Sequence, residues 1–292
     1  EEIEVIICDD ASTDFKLTPK FLKYFKKLNI TVLHAKENGG PGVARQMGIN
    51  ACKAPYFTCC DADDIFYTCT SLFELMSAIK NAEERPFDIY RGTFIEETRD
   101  ATGKIVYYPH VNDNTWMHGK MYRKAFINEN RVVFHPDLRV QEDTYFNNLA
   151  FQSEAKVLEG QNPVYLWKWI DGSITRNNNQ EYSFNSIGVF LDAVDYSLTD
   201  LLLRKKDIRH NVGQTCYYLY FTLQSTRWYA PEVAHFRKAT EERLAKFFIR
   251  YSNIYEAIKP EEQCIIYNQQ RARAVAMEPT LLEKESFVAM ME

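Results

Sequence analysis

Three short apolar runs punctuate the first part of the chain, at residues 4–8, 30–34 and 56–60. Runs of this length bounded by turn residues are the mark of buried strands. Between them the period changes. Phe21, Leu22, Phe25 and Leu28 recur at helical spacing after Thr18-Pro19, a cap followed by a proline suited to a first turn. Val43, Ala44, Met47 and Ile49 do the same after the loop 36–42, which carries Gly39, Gly40, Pro41 and Gly42. A third helix is expected over 71–84. The order β-α-β-α-β-α predicts a parallel sheet with right-handed crossovers.

Downstream the pattern predicts a strand at 87–91 and a hairpin over 93–108, turning at Thr102-Gly103. A polar-aromatic segment, 116–123, leads into a short helix. A short strand is expected at 132–134, an amphipathic helical run at 144–155 and a strand at 164–169. From Glu181 onward the pattern is helical: 184–203, 212–228, 233–257 and 261–277. The tail after Pro279 is expected to be loosely held. The fold class is therefore α/β, with residues 1–180 as the α/β domain and 181–292 as a helical C-terminal region.

The polar residues that end the strands change the picture more than the strands do. The run at 56–60 stops in Asp61-Ala62-Asp63-Asp64, and the run at 4–8 stops in Asp9-Asp10-Ala11-Ser12-Thr13-Asp14. Ligands in open α/β sheets bind beyond the carboxyl ends of the strands. Crowded carboxylates repel unless a positive group joins them, and hard divalent cations take one or two carboxylates together with substrate phosphates. Helix capping is the bland alternative for each acidic turn, Glu142-Asp143 included. Glycines ahead of a helix let backbone approach an anion, although a tight turn alone accounts for the loop 36–42. Arg45, one turn into that helix, either points back to the strand ends or is solvated.

Size and charge narrow the class. The chain has 292 residues, 46% hydrophobic and 26% charged, the make-up of a globular protein. A net charge of −5 argues against a general nucleic-acid surface. Seven cysteines without paired spacing speak against a disulfide framework or zinc site and for a reducing compartment. The expected location is cytoplasmic, with the inner face of the membrane as a second placement. No apolar segment reaches the roughly 18 residues that span a bilayer.

Taken in order, the two acidic turns, Asn38–Arg45, Trp116–Arg123, Glu142-Asp143 and Asp171-Gly172-Ser173-Ile174-Thr175 resemble the motifs of family 2 glycosyltransferases of the GT-A fold, over residues 3–176. The resemblance implies a Rossmann-like, mostly parallel central sheet flanked by helices. It implies inverting transfer of a sugar from a nucleotide diphosphate donor, usually UDP-linked, with Mn²⁺ or Mg²⁺. Asp9 and Asp10 match the turn that contacts the nucleoside, Arg45 a residue near the base, and Asp61, followed by Ala62, the acid near the ribose. Asp63 matches the metal ligand and Asp143 the general base, with Glu142 beside it. Trp116, His118 and Lys120 fall in the segment that shapes the acceptor site. The acceptor would be a glycan, a lipid-linked sugar or another hydroxyl compound.

The family's opening strand and helix, which precede the Asp9-Asp10 strand, are absent from this sequence. A fragment or a mis-set start accounts for this most simply; a permutation using 264–268 conflicts with the helical pattern there. A catalytically silent sugar-nucleotide binder or assembly subunit is the competing reading, and transfer onto modified DNA bases a third. The C-terminal helices cover the sheet, form a homodimer contact or lie against a membrane. Phe247-Phe248-Ile249 and Trp228-Tyr229 are the candidate surface, with internal packing favoured. Packing is also favoured for Trp167 and Trp169.

Overall fold

Glu4–Asp9 (β1) and Asn29–His34 (β2) pair in parallel, from Glu4 opposite Asn29 to Asp9 opposite His34. In the computed structural model, which describes residues 3–13, 22–100, 102–171, 173, 180–224 and 234–277, the chain forms two compact units, Glu1–Asp171 and Gly172–Glu292. Asp14, the cap Thr18-Pro19, Gly172, Ile174-Thr175, Trp228-Tyr229 and the tail after Pro279 lie outside the described residues. Of the first predicted helix, the described part is a 3-10 turn, Lys23–Phe25.

Beyond the helix α1 (Pro41–Ala51) come β3 (Tyr56–Thr58), β4 (Ile65–Phe66) and α2 (Ser71–Lys80). The strands β5 (Ile89–Arg99), β6 (Ile105–His110) and β7 (Lys120–Arg123) follow, then the helices α3 (Lys124–Glu129) and α4 (Glu142–Gln152) and the strand β8 (Val157–Trp167). Six strands make one sheet in the order β3-β7-β5-β8-β4, with β6 paired to β5.

This corrects the expected mostly parallel sheet. Within the six-stranded sheet only β5 and β8 run parallel; the β3-β7, β7-β5, β8-β4 and β5-β6 ladders are antiparallel. The reason is local. The hairpin at Thr102-Gly103 reverses the chain directly, with Gly103 at φ +82°, and a two-element return needs no helical crossover. Nor do β1, β2 and β3 share one sheet: among the described residues the β1-β2 ladder and the sheet holding β3 are separate. All of β1 is only part-buried, although Val5, Ile6 and Ile7 are apolar.

Two smaller expectations also change. The strand at 56–60 ends at Thr58, so Cys59 and Cys60 leave the ladder. Residues 132–134 form no strand. Phe134 instead stacks on Phe146 of α4, centroids 4.4 Å apart, and its N–H donates to the Gln46 side chain at 2.9 Å. An apolar triplet satisfied by ring packing and one side-chain bond needs no sheet partner. Under the opposite side of the sheet, Leu75, Phe87, Tyr90, Met121 and Val164 form a core with α2.

The second unit contains the helices α5 (Gln180–Leu203), α6 (Arg209–Leu223), α7 (Ala234–Glu256) and α8 (Pro260–Met277). Tyr217, Tyr220 and Phe221 of α6 pack on Ile258, Ile266 and Tyr267. Phe247 is buried, whereas Ile249 is 78% exposed. Among the described residues no helix is long and apolar enough to cross a membrane. All seven cysteines are free.

Candidate active site

The site is assembled at the N-terminus of α1. Gly40 sits there at φ +88°, a conformation that glycine adopts freely. The Gly39 and Gly40 N–H groups donate to the two Asp10 oxygens at 2.9 and 2.7 Å. The Asn38 amide donates to the Asp10 carbonyl at 3.1 Å, and Arg139 in turn donates to Asn38 at 2.9 and 2.8 Å. Asp10 therefore locks the glycine loop to the end of β1. Asp9 accepts the Ser12 N–H at 3.0 Å and faces His34 Nδ1 at 2.9 Å. The Ser12 and His34 bonds hold its carboxyl down at about 2.

Arg45 points back into the protein. Its Nη2 meets both Asp61 oxygens at 2.8 Å, and its Nη1 meets Glu142 Oε1 at 2.5 Å. Its side chain is only 11% exposed and that of Glu142 only 7%. Burial disfavours the guanidinium charge, but the Asp61 and Glu142 carboxylates outweigh it and keep Arg45 protonated. Burial likewise opposes ionisation of Asp61, and Arg45 overcomes it, so that its pKa is lowered. The approach is close because residue 42 is glycine: a Cβ there would stand 3.1 Å from Glu142 Cβ and Cγ.

Glu142 and Asp143 open α4, preceded by Gln141 in a left-handed conformation at φ +63°. Both acids are buried. Asp143 accepts the Thr144 N–H at 2.8 Å. Burial first, then the neighbouring Glu142, push its carboxyl up to about 7, against the opposing pull of Arg45 and Lys120. A buried carboxyl raised into this range is what a general base at neutral pH requires.

The segment 116–123 is tied to α4. Asn147 Nδ2 donates to the Thr115 and Trp116 carbonyls at 2.8 and 3.2 Å, and the Tyr122 hydroxyl donates to Asn147 Oδ1 at 2.7 Å. Lys120 is fully buried, with Nζ 2.6 Å from the Trp116 carbonyl and 3.3 Å from Asp113. It braces the segment from within. His118 is buried between aromatic rings: parallel to Trp116 at 6.0 Å, stacked on Tyr165 at 4.8 Å and tilted against Trp167 at 5.1 Å. Burial drives its pKa down to about 3, so the imidazole is neutral. Trp167 is packed against Trp116 at 4.8 Å. Trp169 is held at its edge by Asp171 and over its face by Arg99.

The three acids of the second turn have different fates. Asp61 is paired, while Ala62 and Asp63 are exposed. Among the described residues the Asp63 carboxylate meets no hydrogen-bond or ion-pair partner. Asp64 is buried; its oxygens accept the Tyr165 hydroxyl at 2.6 Å and the Lys168 N–H at 2.8 Å. Burial pushes its carboxyl up to about 6. Sequence reasoning gave no role to Asp64, Tyr165 or Arg139. The third acid of Asp61-Ala62-Asp63-Asp64 was a visible signal for Asp64. Tyr165 and Arg139 carried none, because their partners lie about 100 residues away in the chain.

Residues 1–143 match the model of glycosyl transferase family 2. The chain is 37% identical over 235 residues to the glycosyltransferase GlyG of Streptococcus pneumoniae, covering 71% of this chain and 74% of that protein. It is 23% identical over 197 residues to the uncharacterized glycosyltransferase EpsJ of Bacillus subtilis, covering 60% of this chain and 55% of EpsJ. It is 28% identical over 183 residues to the poly(ribitol-phosphate) beta-N-acetylglucosaminyltransferase TarS of Staphylococcus aureus, covering 57% of this chain and 30% of TarS. A crystal structure of S. aureus TarS 1-349 in complex with UDP-GlcNAc aligns with a TM-score of 0.47 at 17% identity, over 94% of this chain and 72% of that one. The chain belongs to glycosyl transferase family 2, and with it to the GT-A class of α/β folds that the motif order implied. It spans about half of EpsJ and under a third of TarS.

Proposed function

We propose that the protein is an inverting glycosyltransferase that moves a sugar from a nucleotide diphosphate, a UDP-sugar, to a hydroxyl acceptor. The observation that carries this reading is the buried Arg45 fork. It joins the Asp61 turn, at the end of β3, to the Glu142-Asp143 start of α4. Donor-side acid and base thereby lie around one guanidinium. The relatives named as transferases of N-acetylglucosamine onto poly(ribitol-phosphate) support a polyhydroxyl acceptor.

In this reading Asp143 takes the proton of the acceptor hydroxyl as its oxygen attacks the anomeric carbon. The bond from that carbon to the diphosphate oxygen breaks on the opposite face. One displacement gives one inversion, through an oxocarbenium-like state. Asp9 and Asp10 fix the loop over which the nucleoside lies. Asp63, exposed and without a described partner, would hold a divalent cation, Mn²⁺ or Mg²⁺, which when bound would supply positive charge for the leaving diphosphate. Trp116 and Trp167 form a wall on the acceptor side, with Lys120 holding the wall in place.

Asp63→Ala is expected to raise the Mn²⁺ concentration for half-maximal transfer by roughly 10-fold or more, equivalent to about 1.4 kcal/mol of binding. An unchanged Mn²⁺ titration would remove Asp63 from this role. Donor binding without turnover is the second reading, and the separation of the β1-β2 ladder from the main sheet favours it. Calorimetric titration with UDP and Mn²⁺ beside a donor-hydrolysis assay decides: heat without hydrolysis selects the silent binder.

A further inference from the structure

A second set of ligand atoms lies beside Asp63 but does not include it. Asp61, Asp64 and His118 each present one atom, and the three atoms lie within 4.8 Å of one another. Ligand nitrogens and oxygens stand about 2.0–2.2 Å from a first-row divalent ion, so adjacent ligands are about 3–3.5 Å apart and only an opposite pair reaches about 4.4 Å. The three atoms are within reach of one ion, and the side chains draw in by up to about 1.5 Å to bind it. Acids alone would not point to an ion here; His118 does. It is 5% exposed, and among the described residues neither ring nitrogen has a hydrogen bond. Its neighbours are ring faces, those of Phe94, Trp116, Tyr165 and Trp167. Buried and without a hydrogen bond among the described residues, the His118 ring places one nitrogen in reach of the two carboxylates, free to take an ion.

The carboxylates are already oriented from behind. Arg45 holds Asp61, while the Tyr165 hydroxyl and the Lys168 N–H hold Asp64, each Asp64 oxygen accepting one bond. Tyr165 also accepts the Asp61 N–H at 3.2 Å, so one phenol fixes both acids. An oxygen with one accepted bond keeps a lone pair free. Outer partners of this kind are the usual support of metal-ligating carboxylates.

We propose that Asp61, Asp64 and His118 form a cation site, separate from Asp63, that takes a divalent transition ion through two oxygens and one imidazole nitrogen. Oxygen-preferring Mg²⁺ and Ca²⁺ gain little from the imidazole, whereas Mn²⁺ and Zn²⁺ accept it. The site needs no nucleotide. It rests on the side-chain geometry alone, so its failure leaves the transferase reading standing.

The test is Mn²⁺ titrated into the whole chain without nucleotide, followed by electron paramagnetic resonance. The expected result is one bound Mn²⁺ with nitrogen hyperfine coupling, displaced by Zn²⁺ at lower concentration than by Mg²⁺. His118→Gln removes the coupling and weakens binding roughly 10-fold or more, on the scale of a lost ligand or its support; Asp64→Asn weakens binding and keeps the coupling. Asp63→Ala changes neither. Melting without metal checks that each variant folds, and Mn²⁺ should raise the melting temperature of the unaltered protein more than that of either ligand variant. No binding without nucleotide, coupling that persists in folded His118→Gln, or loss of binding in Asp63→Ala would each overturn the proposal.

Discussion

Replacing Asp143 with asparagine lowers turnover about 10²- to 10⁴-fold while leaving donor binding intact, the range that loss of a positioned general base produces. The substitution keeps the shape and an oxygen for the Thr144 N–H, now 2.8 Å from Oδ1, but an amide cannot take up the acceptor's proton. Calorimetry with UDP and single-turnover transfer measure the two effects separately; intact turnover would show that another group is the base. The pH dependence follows with a definite sign. As the proposed base Asp143 would work only ionised, and its carboxyl is pushed up to about 7 by burial and by Glu142. Turnover should therefore rise with pH through that value and level off above it. Arg45 and Lys120 pull the other way, so losing Arg45 shifts the acid limb to higher pH.

Arg45→Met produces the largest loss of stability expected from a single change in the site. It leaves Glu142 buried and uncompensated and removes both Asp61 contacts. Breaking a buried pair by deleting one partner costs about 3–5 kcal/mol. The lower end applies, because the Asp61 side chain is 32% exposed and water replaces part of what it loses. For a unit of this size about 3 kcal/mol lowers the melting temperature by roughly 6–12 °C. Arg45→Lys keeps the charge but not the fork that spans two carboxylates, so it recovers only part of the loss. Pairing Arg45→Met with Glu142→Gln should recover stability, because the second change removes the stranded charge; strict additivity of the two would mean that the ion pair contributes nothing.

The parts of the fold that the sequence disclosed were those set by local periodicity. β1, β2, β3, α1, α2 and the hairpin at Thr102-Gly103 were readable because their apolar spacing and turn residues act within a few positions. The acidic turns were readable for the same reason: Asp9-Asp10 and Asp61-Ala62-Asp63-Asp64 interrupt apolar runs where packing asks for no charge. Residues 132–134 were misread as a strand, because an apolar triplet looks alike whether it meets a sheet or the ring of Phe146.

What the chain alone determined is which residues are candidates for the chemistry and in what order they appear. Only the tertiary structure decided which of them meet. Arg45 is 16 residues from Asp61 and 97 from Glu142, and no local pattern encodes that one guanidinium should hold both. The mixed direction of the sheet, the commitment of Asp10 to the glycine loop and the turning of His118 toward Asp61 and Asp64 have the same origin. Each depends on burial shared between distant segments, where a charge or a lone pair keeps company with whatever the fold brings to it.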